Sequence, residues 1–186
     1  LEVEWTGTPM RKTLPAILLA ASLLWGPAAC KRRDRASVQY TEEEAPQLAT
    51  IVHAADPRTA AQFVSGFHDI EQNAWRWTAG RFAVVLRVPR GAAEKGAVLR
   101  LKFSVPEPVV EKLKTVTLRA SIEGTGFEPE SFTQAGEFTY EREIPAALMT
   151  GESTRVEFSL DRALPAGEID RRELGVIVSS VGFEIP

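Results

Sequence analysis

Between residues 82 and 160, apolar and polar side chains alternate one by one in five short segments. In the segment AVLRLKFSV, the apolar residues Leu99, Leu101 and Phe103 occupy every second position. Successive side chains of a β-strand point to opposite faces of a sheet, so this period predicts strands with one buried and one exposed face. The same pattern predicts half-buried strands of an antiparallel sheet at residues 82–88, 116–122, 138–140 and 156–160.

Glycine- and proline-rich turns separate these segments, for example PRGAAEKG and EGTGFEPE. No segment shows the sustained apolar spacing of three and four residues that marks a helix, and no βαβ unit is recognisable. Many short strands separated by turns are typical of sandwiches and barrels. We therefore predict an all-β domain over residues 61–186, an antiparallel β-sandwich of the jelly-roll kind.

The N-terminal part has the features of a secretory signal in the usual order. Residues 1–9 fit no targeting pattern, and we interpret them as a spurious upstream extension from a misplaced start codon. Residues 10–29 begin with methionine, arginine and lysine, continue with an apolar run that is short for a membrane span, and end in two alanines. This order predicts a lipoprotein signal peptide over residues 10–29.

Cys30 is the only cysteine of the chain and follows this segment directly. The arrangement resembles the lipobox of bacterial lipoproteins, in which the cysteine is acylated, although Pro27 stands where an aliphatic residue is usual. The alternative is an ordinary signal peptide that leaves a free thiol, and a lone exposed thiol is a liability in an oxidising compartment. We expect a lipid at Cys30 that holds the protein on a membrane of the cell envelope, facing the periplasm or the cell exterior.

Residues 30–60 are predicted to be the lipidated cysteine and a flexible linker. The linker begins with KRRDR, whose four cations and one acid suit anionic lipid headgroups. Residues 36–50 are polar and nearly without aromatic side chains. The whole chain has a net charge of −3 and no basic stripe, which argues against binding to nucleic acid.

The segment EQNAWRWTAGRF, residues 71–82, is the most unusual stretch, with Trp75 and Trp77 on either side of Arg76. On a strand the two indoles share one face and the arginine points to the other. On an exposed face the indoles would form a platform onto which sugar rings stack, and on an inner face they would fill the core. We expect the inner face, with at least one tryptophan buried and Arg76 directed outward.

A second charged motif, DRRELG, lies near the C-terminus at residues 170–175. Arginine and carboxylate side chains occur in both motifs, and charged groups near a core need partners. Pairing between the motifs would form a structural clasp that ties the first strand to the last, and ligand binding is the other interpretation of the same residues. The candidates are the cations Arg76 and Arg172 and the acids Glu71, Asp170 and Glu173.

Taken together, SGFHDIEQNAWRWTAGRFAVVLRVP and DRRELGVIVSSVGFE resemble a bacterial β-sandwich module. That module is found in acidobacterial-type lipoproteins and attached to some glycosyltransferases and surface-polysaccharide proteins. The resemblance covers residues 65–186 and consists of a Gly-Phe start, a glutamate, the Trp-Arg-Trp core and the Asp-x-Arg-Glu-Leu-Gly ending. It implies a jelly-roll-like sandwich similar to carbohydrate-binding modules, and it implies no activity.

The sequence offers little for catalysis. Only His53 and His68 could act as an imidazole base, and the chain lacks a Gly-x-Ser-x-Gly motif. Clustered metal ligands and recognisable calcium loops are absent from the sequence, and nothing selects a carboxylate pair. We expect a non-enzymatic envelope lipoprotein without cofactor or metal whose sandwich binds a glycan. The alternative is a structural or assembly lipoprotein whose sandwich binds another envelope protein through an edge strand or loop.

Overall fold

The computed structural model describes residues 47–167 and 170–186. Within them the chain forms an antiparallel β-sandwich, which confirms the predicted fold class. Its strands are β1 (Ile51–His53), β2 (Phe63–Glu71), β3 (Trp75–Arg87), β4 (Ala97–Val105), β5 (Val116–Ile122), β6 (Thr125–Gly126), β7 (Glu130–Phe132), β8 (Gly136–Ile144), β9 (Ser153–Leu160) and β10 (Ile177–Glu184). The helices are α1 (Ala92–Lys95) and α2 (Glu107–Leu113), with 3₁₀ turns at Pro57–Gln62 and Ala146–Leu148.

Hydrogen bonds connect the strands in one path, in the order β6-β5-β9-β3-β10-β4-β8. Beside this path, β1 pairs with β10, β2 with β3, and β7 with β5. Strand β3 belongs to both halves of the sandwich, because its residues 76–77 pair with β10 and its residues 81–87 pair with β9. We call β8, β4, β10, β1 and the start of β3 sheet 1. The end of β3 with β2, β9, β5, β6 and β7 is sheet 2.

The alternation of the strands buries one face of each sheet. In β4, every second side chain from Ala97 to Val105 is at most 3% exposed. Phe82 of β3 stacks on Phe158 of β9 within sheet 2, with ring centroids 5.0 Å apart. Phe103 of sheet 1 meets Phe132 of sheet 2 edge to face, also at 5.0 Å. The inner faces of the two sheets therefore share a single apolar core.

Tyr140 of β8 places a hydroxyl group inside this core, and that hydroxyl makes two hydrogen bonds. Its hydroxyl donates to the carbonyl oxygen of Glu128 at 3.0 Å and accepts from the backbone N–H of Ala120 at 3.3 Å. Burial raises the pKa of Tyr140, so the phenol remains neutral and keeps its proton for donation. The hydroxyl therefore links β8 of sheet 1 to β5 of sheet 2 without an unpaired buried group.

The folded domain begins earlier than the predicted boundary at residue 61. Val52 of β1 is fully buried and pairs with Val181 of β10. The side-chain amide of Gln62 accepts from the backbone N–H of Ala49 at 2.8 Å and donates to the carbonyl oxygen of Ala49 at 3.0 Å. A strand of three residues is too short for its alternation to be recognised, so the sequence assigned this segment to the linker.

Residues 1–46 lie outside the described part of the chain. The predicted upstream extension, the signal peptide over residues 10–29, the lipid at Cys30 and the start of the linker therefore remain predictions. In residues 47–167 and 170–186, the helices are all too short or too polar to cross a bilayer.

The burial of β1 makes a direct prediction for stability. Replacing Val52 by alanine removes two buried methyl groups and should lower the free energy of unfolding by about 2 kcal/mol. His53→Ala, at the next and exposed position, should change it by less than about 0.5 kcal/mol. Urea unfolding of both variants measures the difference, and equal stabilities would show that β1 is not part of the core.

Candidate functional site

The register of sheet 1 places Trp77 on the outer face of the sandwich. Trp77 pairs with Ile177 of β10, Ile177 pairs with Ser104 of β4, and Ser104 pairs with Glu137 of β8. Residues directly opposite each other on neighbouring strands share a face. The four side chains in this row are all half-buried or exposed. Trp75, two residues before Trp77 on the same strand, belongs to the same outer face.

Arg76 points to the inner side, which reverses the expected orientation. It pairs with Val178, which is fully buried and pairs in turn with Phe103 of the core. The guanidinium donates from Nη1 to the carbonyl oxygen of His68 at 3.1 Å, and its carbon lies 5.4 Å from the ring centre of Phe63. An arginine can occupy the margin of a core in this way because its stem and its planar head both pack on apolar groups.

A cleft of about 440 Å³ lies on the outer face of sheet 1, beside Trp75. The polar side chains that line it come from three strands: Lys102 and Ser104 of β4, Glu137 and Thr139 of β8, and Ser179 of β10. Neither Lys102 nor Glu137 forms an ion pair with any residue that the structure describes. The cleft thus combines a partly exposed indole with hydroxyl groups and one charge of each sign.

The indole N–H of Trp75 is buried and has no acceptor among the described residues. An unpaired buried donor costs about 1–3 kcal/mol. Both tryptophans are half-buried, and Trp77 also packs against the core. Of the two tryptophans, Trp75 is the one that lines the cleft.

A smaller cavity of about 120 Å³ lies next to this cleft, and Lys102 lines both. Gly182 forms its floor, where a Cβ atom would lie 2.6 Å from Cγ1 of Ile51. Arg100, on the opposite side, forms ion pairs with Glu141 and Glu184, which raise the pKa of Arg100. The two cavities lie on the same face of sheet 1 and share Lys102, and we call them together the groove.

The structure brings Arg172 to two of the predicted acids. Its Nη1 donates to Oε1 of Glu71 at 2.7 Å, and its Nη2 donates to Oδ2 of Asp170 at 2.8 Å. The backbone N–H of Arg172 also donates to Oδ1 of Asp170, at 2.9 Å. These hydrogen bonds lower the pKa of Asp170 to about 2 and raise the pKa of Arg172. Because Glu71 pairs with Trp75 across β2 and β3, this ion-pair cluster lies at the margin of the cleft.

Two of the predicted charged residues take no part in that cluster. Arg76 makes no ion pair within the described residues and is held by His68 and Phe63 instead. Glu173 contributes its backbone, because its carbonyl oxygen accepts from Nε2 of His68 at 2.7 Å. The segment before β10 is therefore tied to β2 at two points, by Arg172 to Glu71 and by Glu173 to His68.

The sequence did not single out the polar residues of the cleft. Lys102, Ser104, Glu137 and Thr139 occupy ordinary outward positions of their strands, and Ser179 is the extra residue of a β-bulge in β10. Alternation marks such positions as exposed, but it does not say which of them are neighbours. Only the register of β3, β10, β4 and β8 brings them together beside Trp75.

No group of three or more histidine, cysteine, aspartate and glutamate side chains in residues 47–167 and 170–186 lies close enough to hold a metal ion. The chemistry that the cleft offers is hydrogen bonding, charge pairing and stacking against an indole.

The sequence matches no family model and no curated protein. Among solved structures, it is similar to a family GH115 4-O-methyl-α-glucuronidase, BtGH115A, with specificity for decorated arabinogalactans (TM-score 0.43, 10% identity, 75% of this chain). The chain spans 18% of that enzyme's length. It is also similar to the carbohydrate-binding module CBM36 in complex with calcium and xylotriose (TM-score 0.40, 10% identity, 73% of this chain and 99% of the module). A third similar structure is a CBM4 module (TM-score 0.30, 11% identity, 72% of this chain and 80% of the other). The function of this chain is therefore inferred from its own residues.

The lowered pKa of Asp170 makes stability depend on pH in a defined window. A carboxyl group whose pKa falls from 3.8 to about 2 on folding stabilises the fold above pH 3.8, and this contribution is lost as the pH falls toward 2. Asp170→Asn should therefore lower the thermal midpoint at pH 7, and the difference from the wild type should vanish between about pH 4 and pH 2. Thermal unfolding at a series of pH values measures it.

The same substitution in an Arg172→Gln background is the control. There the side-chain hydrogen bonds and the ion pair are lost and the backbone N–H of residue 172 remains as a donor, so the pH-dependent effect of Asp170→Asn should be clearly smaller. A difference that persists unchanged to pH 2, or that is undiminished in the Arg172→Gln background, would contradict this account of the cluster.

Proposed function

We propose that the protein is a membrane-anchored envelope lipoprotein whose sandwich is a non-catalytic module that binds a glycan on the outer face of sheet 1. The observation that carries this proposal is the position of Trp75, which shares the outer face of sheet 1 with Trp77 and lines a polar cleft there. Both indoles are half-buried, so part of each apolar ring remains in contact with water on the outer face. A ligand that packs on the exposed part of Trp75 would remove this apolar surface from water.

The composition of the cleft fits the surface of a sugar. A pyranose ring has an apolar C–H face that packs on an aromatic ring, and a rim of hydroxyl groups that donate and accept hydrogen bonds. Beside Trp75, the cleft offers hydroxyl groups from Ser104, Thr139 and Ser179 as well as the charged groups of Lys102 and Glu137. An apolar platform with a few convergent polar groups is the usual composition of a small-molecule site.

The length of the groove favours a chain of sugars over a single unit. The cleft at Trp75 and the cavity above Gly182 lie side by side, with Lys102 between them. Both cavities are open to solvent on the same face of sheet 1, and the absence of a side chain at Gly182 keeps the floor low. An oligosaccharide laid across the strands would contact Trp75 at one end and the cavity beside Arg100 at the other.

A second candidate function is assembly with another envelope protein through β8. Within the described residues, β8 is bonded to β4 on one side only, so a strand of nine residues forms an edge of sheet 1. An open edge can accept a partner strand. However, β8 carries Glu137, Glu141, Arg142 and Glu143, and charged side chains protect an edge against pairing. We therefore favour glycan binding.

The glycan proposal predicts that Trp75→Ala weakens binding without unfolding the domain. Loss of the aromatic anchor should lower the affinity for the best oligosaccharide on a glycan array at least about tenfold, as expected for a principal contact residue. The loss of stability should stay below the roughly 3–5 kcal/mol of a fully buried tryptophan.

The matched control for Trp75→Ala is Phe127→Ala, which removes another half-buried aromatic ring. Phe127 follows β6, at the opposite end of the strand path from β8. It should leave glycan affinity unchanged. Equal glycan affinity of the wild type and Trp75→Ala would refute the proposed site. A protein partner retained by both would support the assembly function instead.

The anchoring part of the proposal predicts acylation at Cys30. Metabolic labelling with a fatty-acid probe should tag the wild-type protein, and Cys30→Ser should remain unlabelled because it lacks the thiol that accepts the lipid. In cell fractionation, the Cys30→Ser variant should be absent from the membrane pellet that contains the wild type. Equal labelling of both proteins would exclude Cys30 as the attachment point.

A further inference from the structure

Four polar side chains on the outer face of sheet 1 form a block on two neighbouring strands. Lys102 of β4 lies directly opposite Thr139 of β8, and Ser104, two residues further along β4, lies opposite Glu137. All four side chains line the cleft at Trp75, and we call them the polar square. The two hydroxyl groups occupy one diagonal of the polar square, and the two charges occupy the other.

The two charges of the polar square do not pair with each other. Directly opposite residues of an antiparallel pair have Cβ atoms about 4.5–5.5 Å apart, whereas diagonal neighbours are about 7–8 Å apart. In the next row, Arg100 stands directly opposite Glu141 and forms an ion pair with it. The four side chains of the polar square make neither a hydrogen bond nor an ion pair with a described residue. Their donors and acceptors are therefore available to a ligand.

The side of the cleft that faces β3 is apolar. In the row that contains Ser104 and Glu137, the next two side chains are Ile177 of β10 and Trp77 of β3. Ile177 and Trp75 line the cleft together with the polar square. The cleft thus has an apolar half at β3 and β10 and a polar half at β4 and β8.

We propose that the polar square selects a neutral, hydroxyl-rich sugar and discriminates against acidic sugars and against sugars with a free amine. This inference rests on the proposed glycan site and names its class of ligand. A carboxylate accepts hydrogen bonds from hydroxyl groups, and an ammonium group donates up to three to hydroxyl oxygens. A pyranose ring that packs on Trp75 directs its hydroxyl rim to Glu137 and Lys102, and both bind it through charge-assisted hydrogen bonds.

The selectivity follows from the presence of one charge of each sign. The carboxylate of a uronate is repelled by Glu137, and the protonated amine of an amino sugar is repelled by Lys102. In both cases the attraction to the opposite charge of the polar square is offset by the like charge beside it. A neutral sugar meets no such repulsion and keeps the hydrogen bonds to both charged groups.

The polar square contributes little to holding sheet 1 together. Its side chains are exposed or half-buried, and β4 and β8 are joined beneath it by nine consecutive residue pairs. The core contacts of β4 come from the inner positions of the strand, which alternate with Lys102 and Ser104. Substitutions in the polar square should therefore change ligand preference and leave the domain folded.

The experiment compares the purified full chain with two variants on an array of neutral oligosaccharides, uronate oligomers and glucosamine oligomers. The wild type should bind neutral oligosaccharides best. Glu137→Gln should bind the best neutral oligosaccharide about tenfold or more weakly, the loss expected for a hydrogen bond to a charged group, and should bind uronate oligomers more tightly. Lys102→Gln should show a similar loss for the neutral ligand and should bind glucosamine oligomers more tightly. Each gain is expected because the remaining charge is then unopposed.

Two control variants remove the same charges outside the cleft. Glu143→Gln removes an exposed carboxylate of β8 that does not line the cleft. Lys112→Gln removes an exposed ammonium group of α2. Both variants should keep the ligand ranking and the affinity of the wild type, since neither group reaches the bound sugar.

The inference is overturned if the wild type prefers a uronate or glucosamine oligomer, or if Glu137→Gln and Lys102→Gln keep the wild-type ranking. Neutral binding that both variants retain and Trp75→Ala loses would refute the role of the polar square and leave the glycan site intact. A wild type that binds none of the printed sugars would refute the proposed function, and this inference with it.

Discussion

Thr78 fixes the point at which β3 leaves sheet 1 and continues into sheet 2. Its backbone N–H donates to the carbonyl of Val176 at 2.9 Å, and its own carbonyl accepts from the N–H of Gly175 at 2.6 Å. Its buried hydroxyl accepts from the N–H of Val176 at 3.1 Å. A Cβ atom on Gly175 would lie 2.8 Å from that hydroxyl and 2.6 Å from Leu160, so only glycine permits this approach. Every outward position of β3 is defined relative to this junction.

The crossing preserves the alternation of β3, and this connects the two outer faces. Thr78 and Phe82 both point inward, so the odd-numbered residues on either side of the junction point outward. One strand thus presents Trp75 and Trp77 on the outer face of sheet 1 and Arg81 on the outer face of sheet 2. An extra residue at the junction would turn one of these sets into the core. The position of the aromatic pair and the outward direction of Arg81 therefore depend on the same short segment.

The alternation of the sequence was sufficient to predict the fold class and several long strands, because strands such as β4 follow it without exception, but it missed short strands such as β1. The orientation of β3 was not predictable in the same way. Alternation shows that Trp75 and Trp77 share a face, but the choice of face followed the rule that apolar residues point inward, and Arg76 breaks that rule by packing on Phe63. In the charged motifs, composition indicated that arginine and carboxylate would pair. The choice of Arg172 over Arg76 as the partner of Glu71 depends on how the segment before β10 folds.

Strand β1 also has a mechanical consequence. Any pull on the chain ahead of residue 47 enters the sandwich at Ala49, which is hydrogen-bonded to Gln62 and Arg87, and then at β1, which is joined to β10 by three residue pairs. Such a short attachment is the natural first point of rupture under load. Ile51 and His53 form part of the wall above Gly182, so detaching β1 would remove one side of the groove while the other strands of sheet 1 stay bonded. Tension on the leading segment would then act directly on the shape of that outer face.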